Sequence, residues 1–510
     1  MTERLHLYKR KHAASAPPTA WEPASTVCGW MSFLCCAMVV LAAPWFFAAW
    51  EMWYFWPFVV LLFVGLAFFC CHLFCVLRRG EPLMSDPCGF ARLAVAGFVP
   101  FLVYALIRAL QARVYMHAER SFLLFLTPLV LAVQMVFGFR RNQLTALYVL
   151  VMVNLFLLGA YGVINDHMTD SAHVLWRSAY EGYEGRATGT YFCPDHFSGL
   201  MELAICMVLG ILLARRVAWQ RKLLAASLLV LGLVGVLLSE SRGGGLTVAV
   251  ILATALWIGF AQWSWRARWA WRMGGTLVLL LFLVLVALTG GRYMVRFRDY
   301  PWQEIEKANR YQYTMSALRA WRTSPWVGIG PGMHQVLWPH FSATEDGDRE
   351  KGKWPKFAHW KIHLYEVHND WAQLLEEYGV VGFCLFLLAG GCTASILVVG
   401  YRREMKRREA RRRHGTVRHQ YAMVLGALLA VTAMGFHSLG DFNLQMPATV
   451  WLLAALVATP VALIVRAPRP QSRTPTDEPS QPIGGLEWNR IEMAKTRTQT
   501  EIDRETQDRG

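Results

Sequence analysis

Hydrophobic positions along the chain fall into long blocks, and polar positions are confined to the gaps between them. Runs such as Val59–Cys71, Ser121–Val136 and Leu277–Leu288 carry almost no charge. A helix needs roughly 20 apolar residues to cross the hydrocarbon core of a bilayer. Twelve stretches meet that requirement, near 28–50, 53–77, 88–108, 121–138, 143–164, 198–214, 223–239, 245–262, 273–290, 379–400, 421–439 and 447–465. The pattern predicts an all-α polytopic membrane protein. Its membrane domain is expected over residues 28–466, after a polar leader at 1–27. The tail at 467–510 is rich in Pro, Thr, Gln, Asp and Arg and should be a disordered extension.

Charge then orients the spans. Alternate gaps are basic: Lys9–Lys11, Arg78–Arg79, Arg140–Arg141, Arg215–Lys222, Arg266–Arg272 and Arg402–Arg418. The gaps on the other side are mostly poor in Lys and Arg, with Arg108, Arg113 and Arg120 as exceptions. Basic loops stay in the cytoplasm, so both termini are expected there, in keeping with an even number of spans. The leader does not read as a cleaved signal, because it is long and polar and the first span is too long for a signal core.

Composition agrees: 55% of residues are hydrophobic and 17% charged, against about 45–50% and about 25% in soluble proteins. The net charge of +16, from 51 basic and 35 acidic residues, comes from the gaps between spans. It points to membrane lipids as neighbours and away from nucleic acid. Ten of the eleven cysteines lie in or beside spans, and Cys193 alone sits in an outer loop. A disulfide framework is not expected.

Two long outer loops, about 165–197 and 291–373, are where chemistry is expected. The second carries twelve basic and nine acidic residues and five His. His359 and His363 are four apart, with His334, His340 and His368 in the same loop. No HExxH or CxxC accompanies them, so no metal is expected.

Five motifs lie in or beside these loops. Ser239-Glu240-Ser241-Arg242-Gly243-Gly244-Gly245 joins two spans. Arg242 could hold a phosphate with its planar fork, and the glycines could let ligand oxygens approach backbone N–H groups. A hairpin anchored by a snorkelling Arg is the plainer alternative. Glu366-Val367-His368-Asn369-Asp370 precedes span ten. Asn369 or Asp370 would cap that helix, leaving His368 at the membrane plane, where a neutral imidazole could accept a proton or serve only structure. Arg310 is followed by the turn Pro325-Trp326-Val327-Gly328-Ile329-Gly330-Pro331-Gly332-Met333-His334, which reads equally as irregular structure. Arg186-Ala187-Thr188-Gly189-Thr190-Tyr191-Phe192-Cys193-Pro194-Asp195-His196-Phe197-Ser198-Gly199 precedes span six, with Asp195 or Ser198 as the expected cap. His437-Ser438-Leu439-Gly440-Asp441-Phe442-Asn443-Leu444-Gln445-Met446-Pro447 forms the last outer turn. Ionisable groups so near the membrane suggest function, and a helix-end network is the rival reading.

In this order, from Arg186 to Pro447, the motifs resemble the O-antigen ligase/polymerase superfamily of bacterial membrane glycosyltransferases. The resemblance implies a GT-C-like fold and a core at about 186–447. It also implies a site on the periplasmic side of the inner membrane that uses neither cofactor nor metal. The donor would be an undecaprenyl-diphosphate-linked glycan, and the acceptor a lipid A core or a growing glycan. Carried over by position, Arg242 and Arg310 would contact the diphosphate, and His368 would act as base or orient the acceptor. Arg186, His196, His334, Asn369, Asp370, His437 and Asp441 would support them. Asp195 stands where the family commonly has Asn, and no role is assigned to it.

Transfer to protein is a variant of the same chemistry. A transporter, as in the bicarbonate-uptake relatives of this superfamily, is the main reading of a different class, and an envelope scaffold is another. Transporters place ionisable groups at the midplane between two repeated halves. Here the candidates gather on one face and no repeat is visible. The topology is testable by labelling: a Cys placed at Glu345 should react in intact cells, and one at Glu409 should be protected. The reverse pattern would invert the chain in the membrane.

Overall fold

The computed structural model describes residues 21–80, 89–180, 182–214, 217–262, 295–296, 298–299, 309–342, 364–410 and 420–465. Among these residues the chain is almost wholly helical, and eleven helices are long and apolar enough to cross a membrane. They are α1 (Trp21–Ala42), α2 (Met52–Arg78), α3 (Phe90–Leu110), α4 (Tyr115–Gly138), α5 (Arg141–Thr169), α6 (Pro194–Leu213), α7 (Trp219–Leu238) and α8 (Arg242–Gln262), then α11 (Asp370–Ala410), α12 (Gln420–His437) and α13 (Pro447–Val465). Two shorter helices, α9 (Asn309–Arg322) and α10 (His334–Phe341), lie in the long loop. A two-residue hairpin, β1 (His173–Val174) with β2 (Arg177–Ser178), decorates the loop after α5. The protein is a multi-pass membrane protein.

Eleven of the twelve expected spans therefore have a helix. The expected span at 273–290 and the C-terminal tail lie outside the described residues, as do His359 and His363. The chain leaves the described part at Gln262, at the far end of α8. It re-enters beside the start of that helix, where Arg242 Nη1 donates to the Arg296 carbonyl at 3.1 Å. The ends differ from expectation where polar residues extend a helix. α1 starts at Trp21 rather than near 28, so part of the expected leader is helical. α11 starts at Asp370 rather than near 379. Gly379, at φ 65° and ψ −175°, breaks α11 and sets its first nine residues apart from the span proper.

Helix α6 is the central post. Eighty-three per cent of its span is buried, against 22% for α3, and it packs on α7, α8 and α12. Lipid is as apolar as Leu, so helices associate here through close fit rather than through water exclusion. The fit is tightest where α6 meets α12. A Cβ on Gly210 would stand 2.2 Å from the Ala422 carbonyl oxygen and 2.9 Å from Gly426 N. The outer helices leave large apolar side chains such as Trp53 and Trp257 exposed, as lipid contact requires.

Gly210→Val should thus push α6 from α12 and destabilise the bundle by about 1–3 kcal/mol, the usual cost of overpacking. Gly390→Ala, where an added Cβ meets no atom, should be near neutral. Thermal unfolding of the two variants in detergent compares them directly, and equal melting would refute the close-packing reading.

Candidate active site at the convergent helix ends

The N-termini of α6, α8 and α11 and the C-terminus of α12 meet on one face. Helix N-termini carry partial positive charge and unpaired N–H groups, so acidic side chains and anions are favoured there. Cys193 is the cap residue of α6, with Pro194 in its first turn, so neither Asp195 nor Ser198 caps it as expected. Asp195 instead joins two arginines. Arg186 Nη2 lies 3.2 Å from its Oδ1, and Arg310 Nη2 lies 2.5 Å from its Oδ2. Arg186 also donates through Nε to the Ser239 carbonyl at 2.9 Å, tying this loop to the end of α7.

Arg310, in the first turn of α9, reaches across to the turn between α12 and α13. Its Nη1 donates to the Gly440 carbonyl at 2.5 Å, and its Nη2 lies 3.7 Å from Asp441 Oδ2. Asp441 is 1% exposed, and its Oδ1 stands 3.3 Å from His368 Nδ1. His437, one turn before Asp441, places Nε2 at 3.9 Å from Asp441 Oδ2 and Nδ1 at 2.7 Å from Glu202 Oε1. His196 completes the cluster by contacting Asn443 Oδ1 through Nδ1 at 3.0 Å. Phe442 lies edge-on to both His196 and His368, with ring centroids 4.3 and 4.6 Å away.

His368 is held before α11 in a backbone conformation few non-glycine residues adopt, φ 58°. Such strain persists only where surrounding contacts enforce it. Here Asn369 Oδ1 accepts the Ala372 N–H at 3.0 Å, capping the helix. Asp370 is not the cap: its Oδ2 accepts Ser438 Oγ–H at 2.7 Å and the Leu444 N–H at 3.0 Å. Those bonds fasten the start of α11 to the turn that carries Asp441. Donation from His368 Nδ1–H to Asp441 would leave Nε2 as the proton acceptor, a tautomer assigned from the partners.

Electrostatics follow from this crowding. Burial alone would raise the Asp441 carboxyl, but the Arg310 guanidinium, with His196 and His368, holds it well below the usual carboxylate range. Burial works against the Arg310 charge, and Asp441 and Asp195 more than offset it. Burial, then the Asp195 and Asp441 carboxylates, push the Cys193 thiol up to about 12. Cys193 is therefore held as the thiol.

Residues 227–387 match the O-antigen ligase family model. The match supports the O-antigen ligase/polymerase superfamily read from the motifs. That family implies glycosyltransferase-like ligases and polymerases with lipid-linked glycan substrates. No curated protein matches the chain. The matched segment holds Arg242, Arg310, His334, His368, Asn369 and Asp370. Arg186, Asp195, His196, His437 and Asp441 lie outside it and are brought in by folding.

Both glycine motifs have a packing role, the plainer of the alternatives the sequence left open. Ser241 Oγ accepts the Gly244 N–H at 3.2 Å, so that donor is already engaged. A Cβ on Gly244 would strike Ser198 Oγ at 1.8 Å, and one on Gly243 would meet His437 Nε2 at 3.0 Å. These glycines let α8 lie against the buried polar cluster. The Gly328–Gly332 turn is likewise structural. Ile329 and Gly330 donate to the Glu376 and Glu377 carbonyls at 2.9 and 3.0 Å, bracing the break at Gly379. His334 serves a second buried cluster, with Nδ1 at 2.8 Å from Glu376 Oε2. That cluster extends through Glu377 and Gln373 to Glu366, which Gln373 Nε2 also contacts.

Asp441→Asn should lower stability near pH 7. A carboxyl depressed in the fold adds stability above its unfolded value of about 3.9 and loses it as pH falls through the lower folded value. Breaking a buried pair costs about 3–5 kcal/mol, and the low end is expected because Arg310 keeps Asp195. The gap to wild type should close below about pH 4. Asp299→Asn, at an exposed pair, should change little. Melting curves across pH test this, and a gap that persists at low pH would mean packing rather than charge.

Proposed function

We propose that this chain transfers a glycan from an undecaprenyl-diphosphate carrier to an acceptor hydroxyl on the extracytoplasmic face of a bacterial inner membrane, with both termini cytoplasmic. The observation that supports it most is the shared carboxylate. Asp441 contacts both Arg310 and His368, so fixed positive charge and a proton acceptor are organised by one buried group. The chemistry needs those two parts. As the sugar C1–O bond to the diphosphate breaks, negative charge grows on the leaving oxygens, and preorganised cations stabilise it. As the acceptor oxygen bonds to C1, its proton passes to His368 Nε2, while Nδ1–H remains on Asp441.

Arg242, at the start of α8, and the convergent helix N-termini add to the positive field. These groups supply the charge stabilisation, so the reading requires no metal, and a chelator should leave turnover unchanged. The acceptor decides between lipid A core ligation, polymerisation and transfer to protein. Glycans from a deletion strain separate these: unligated carrier-linked chains, short chains or an unglycosylated protein.

In reconstituted vesicles, His368→Ala should reduce kcat by about 100-fold or more, as for loss of a general base, while still binding the carrier-linked donor. Arg242→Lys keeps charge but loses the fork and should lose most turnover. Arg141→Lys, on the opposite face, should lose little. Parallel loss of donor binding and turnover in His368→Ala would make His368 a donor ligand or a structural cap.

A further inference from the structure

The arginines around this cluster are not equally committed. Arg186 uses Nε and Nη2 on a carbonyl and on Asp195. Arg310 uses Nη1 and Nη2 on the Gly440 carbonyl and Asp195. Arg120 donates to the Trp50 carbonyl at 2.9 Å and lies over the Trp50 ring. Arg242 donates to the Arg296 carbonyl. The guanidinium of Arg296 is different. Its side-chain contact among the described residues is one loose ion pair, Nη1 to Glu240 Oε2 at 3.9 Å, beyond hydrogen-bond length. Its side chain is 34% exposed, so it borders open space.

Burial disfavours the Arg296 charge, Arg186 and then Arg310 add repulsion, and Asp195 and Glu240 offset part of it. A half-buried guanidinium with only that loose pair among the described residues has donors to offer an anion. Glu240, the partner it would release, sits in the Ser-Arg-Gly-Gly turn at φ 52°, beside Arg242. Its side chain is 12% exposed.

We propose that Arg296 is the guanidinium that first grips the donor's diphosphate, exchanging Glu240 for phosphate oxygens, while Arg310, held by Asp195 and Asp441, supplies a standing charge beside it. This rests on the diphosphate reading of the site. Glu240 then acts as a competing internal anion that holds Arg296 in place while no donor is bound. Sequence position gave no hint of it, because Arg296 lies in a stretch of the loop without a glycine or histidine motif.

The test is equilibrium binding of inorganic pyrophosphate, undecaprenyl diphosphate and undecaprenyl phosphate to the full chain in nanodiscs. Arg296→Gln should weaken both diphosphates about tenfold, the effect of losing a charge-assisted hydrogen bond, and the monophosphate less. Glu240→Gln should tighten diphosphate binding several-fold. Arg298→Gln, exposed and paired with Asp299, should leave binding unchanged. Wild-type affinity in Arg296→Gln, an equal loss in Arg298→Gln, or equal losses for mono- and diphosphate would overturn the assignment. If Arg296→Gln does not fold, unchanged binding in Glu240→Gln overturns it instead. A wild-type chain that binds neither diphosphate would sink the functional reading itself, which separates the two failures.

Discussion

A buried carboxylate cannot stay ionised without partners, and the site is arranged around meeting that demand for Asp441. Its neighbours come from four parts of the chain: Arg310 from α9, His368 from the loop before α11, His437 from the end of α12 and His196 from the start of α6. The low dielectric that makes an unpaired charge costly also strengthens each satisfied contact. One carboxylate therefore fixes the long loop to the helix bundle. Asp195 repeats the device on the other side of Arg310. Two acids and the Gly440 carbonyl give that guanidinium little freedom, which suits a group whose service is a fixed charge rather than a moving hand.

The membrane architecture was legible because hydrophobic blocks in lipid admit one solution, the helix. Pro447–Val465 appears where the apolar pattern placed it, since a turn at one end and Arg at the other bound it sharply. Helix starts were less legible. Asp370 and Trp21 extend their helices through polar or leader residues that a hydropathy window discards. Asn369 was rightly offered as a cap, because its chemistry is local. Asp195 was not read as a bridge, because its partners are nine and 115 residues away in sequence. For the glycines the plainer of the two readings has a visible basis: Gly243 and Gly244 need close approach because His437 and Ser198 stand against them.

The family match covers only part of the candidate site. Residues 227–387 hold Arg242, Arg310 and His368, while Asp195 and Asp441, which pair with Arg310, come from before and after it. Short motifs pick out local spacing, and groups that meet across the chain are recognisable only once the helix ends are brought together.

The break at Gly379 has a mechanical consequence. Val380 and Val381 donate to the Pro325 and Trp326 carbonyls at 2.9 and 3.1 Å, and Glu376 and Glu377 accept from the same turn. Both sides of the break are thus stitched to a loop outside the span, and the segment bearing Asp370 is stitched again to the Ser438–Leu444 turn. The segment between His368 and the break is therefore tied at both its ends, by the 325–330 turn and by the Ser438–Leu444 turn. A tilt of the long span of α11, the usual response to bilayer thickness, would act beyond those ties and leave His368 in register with Asp441.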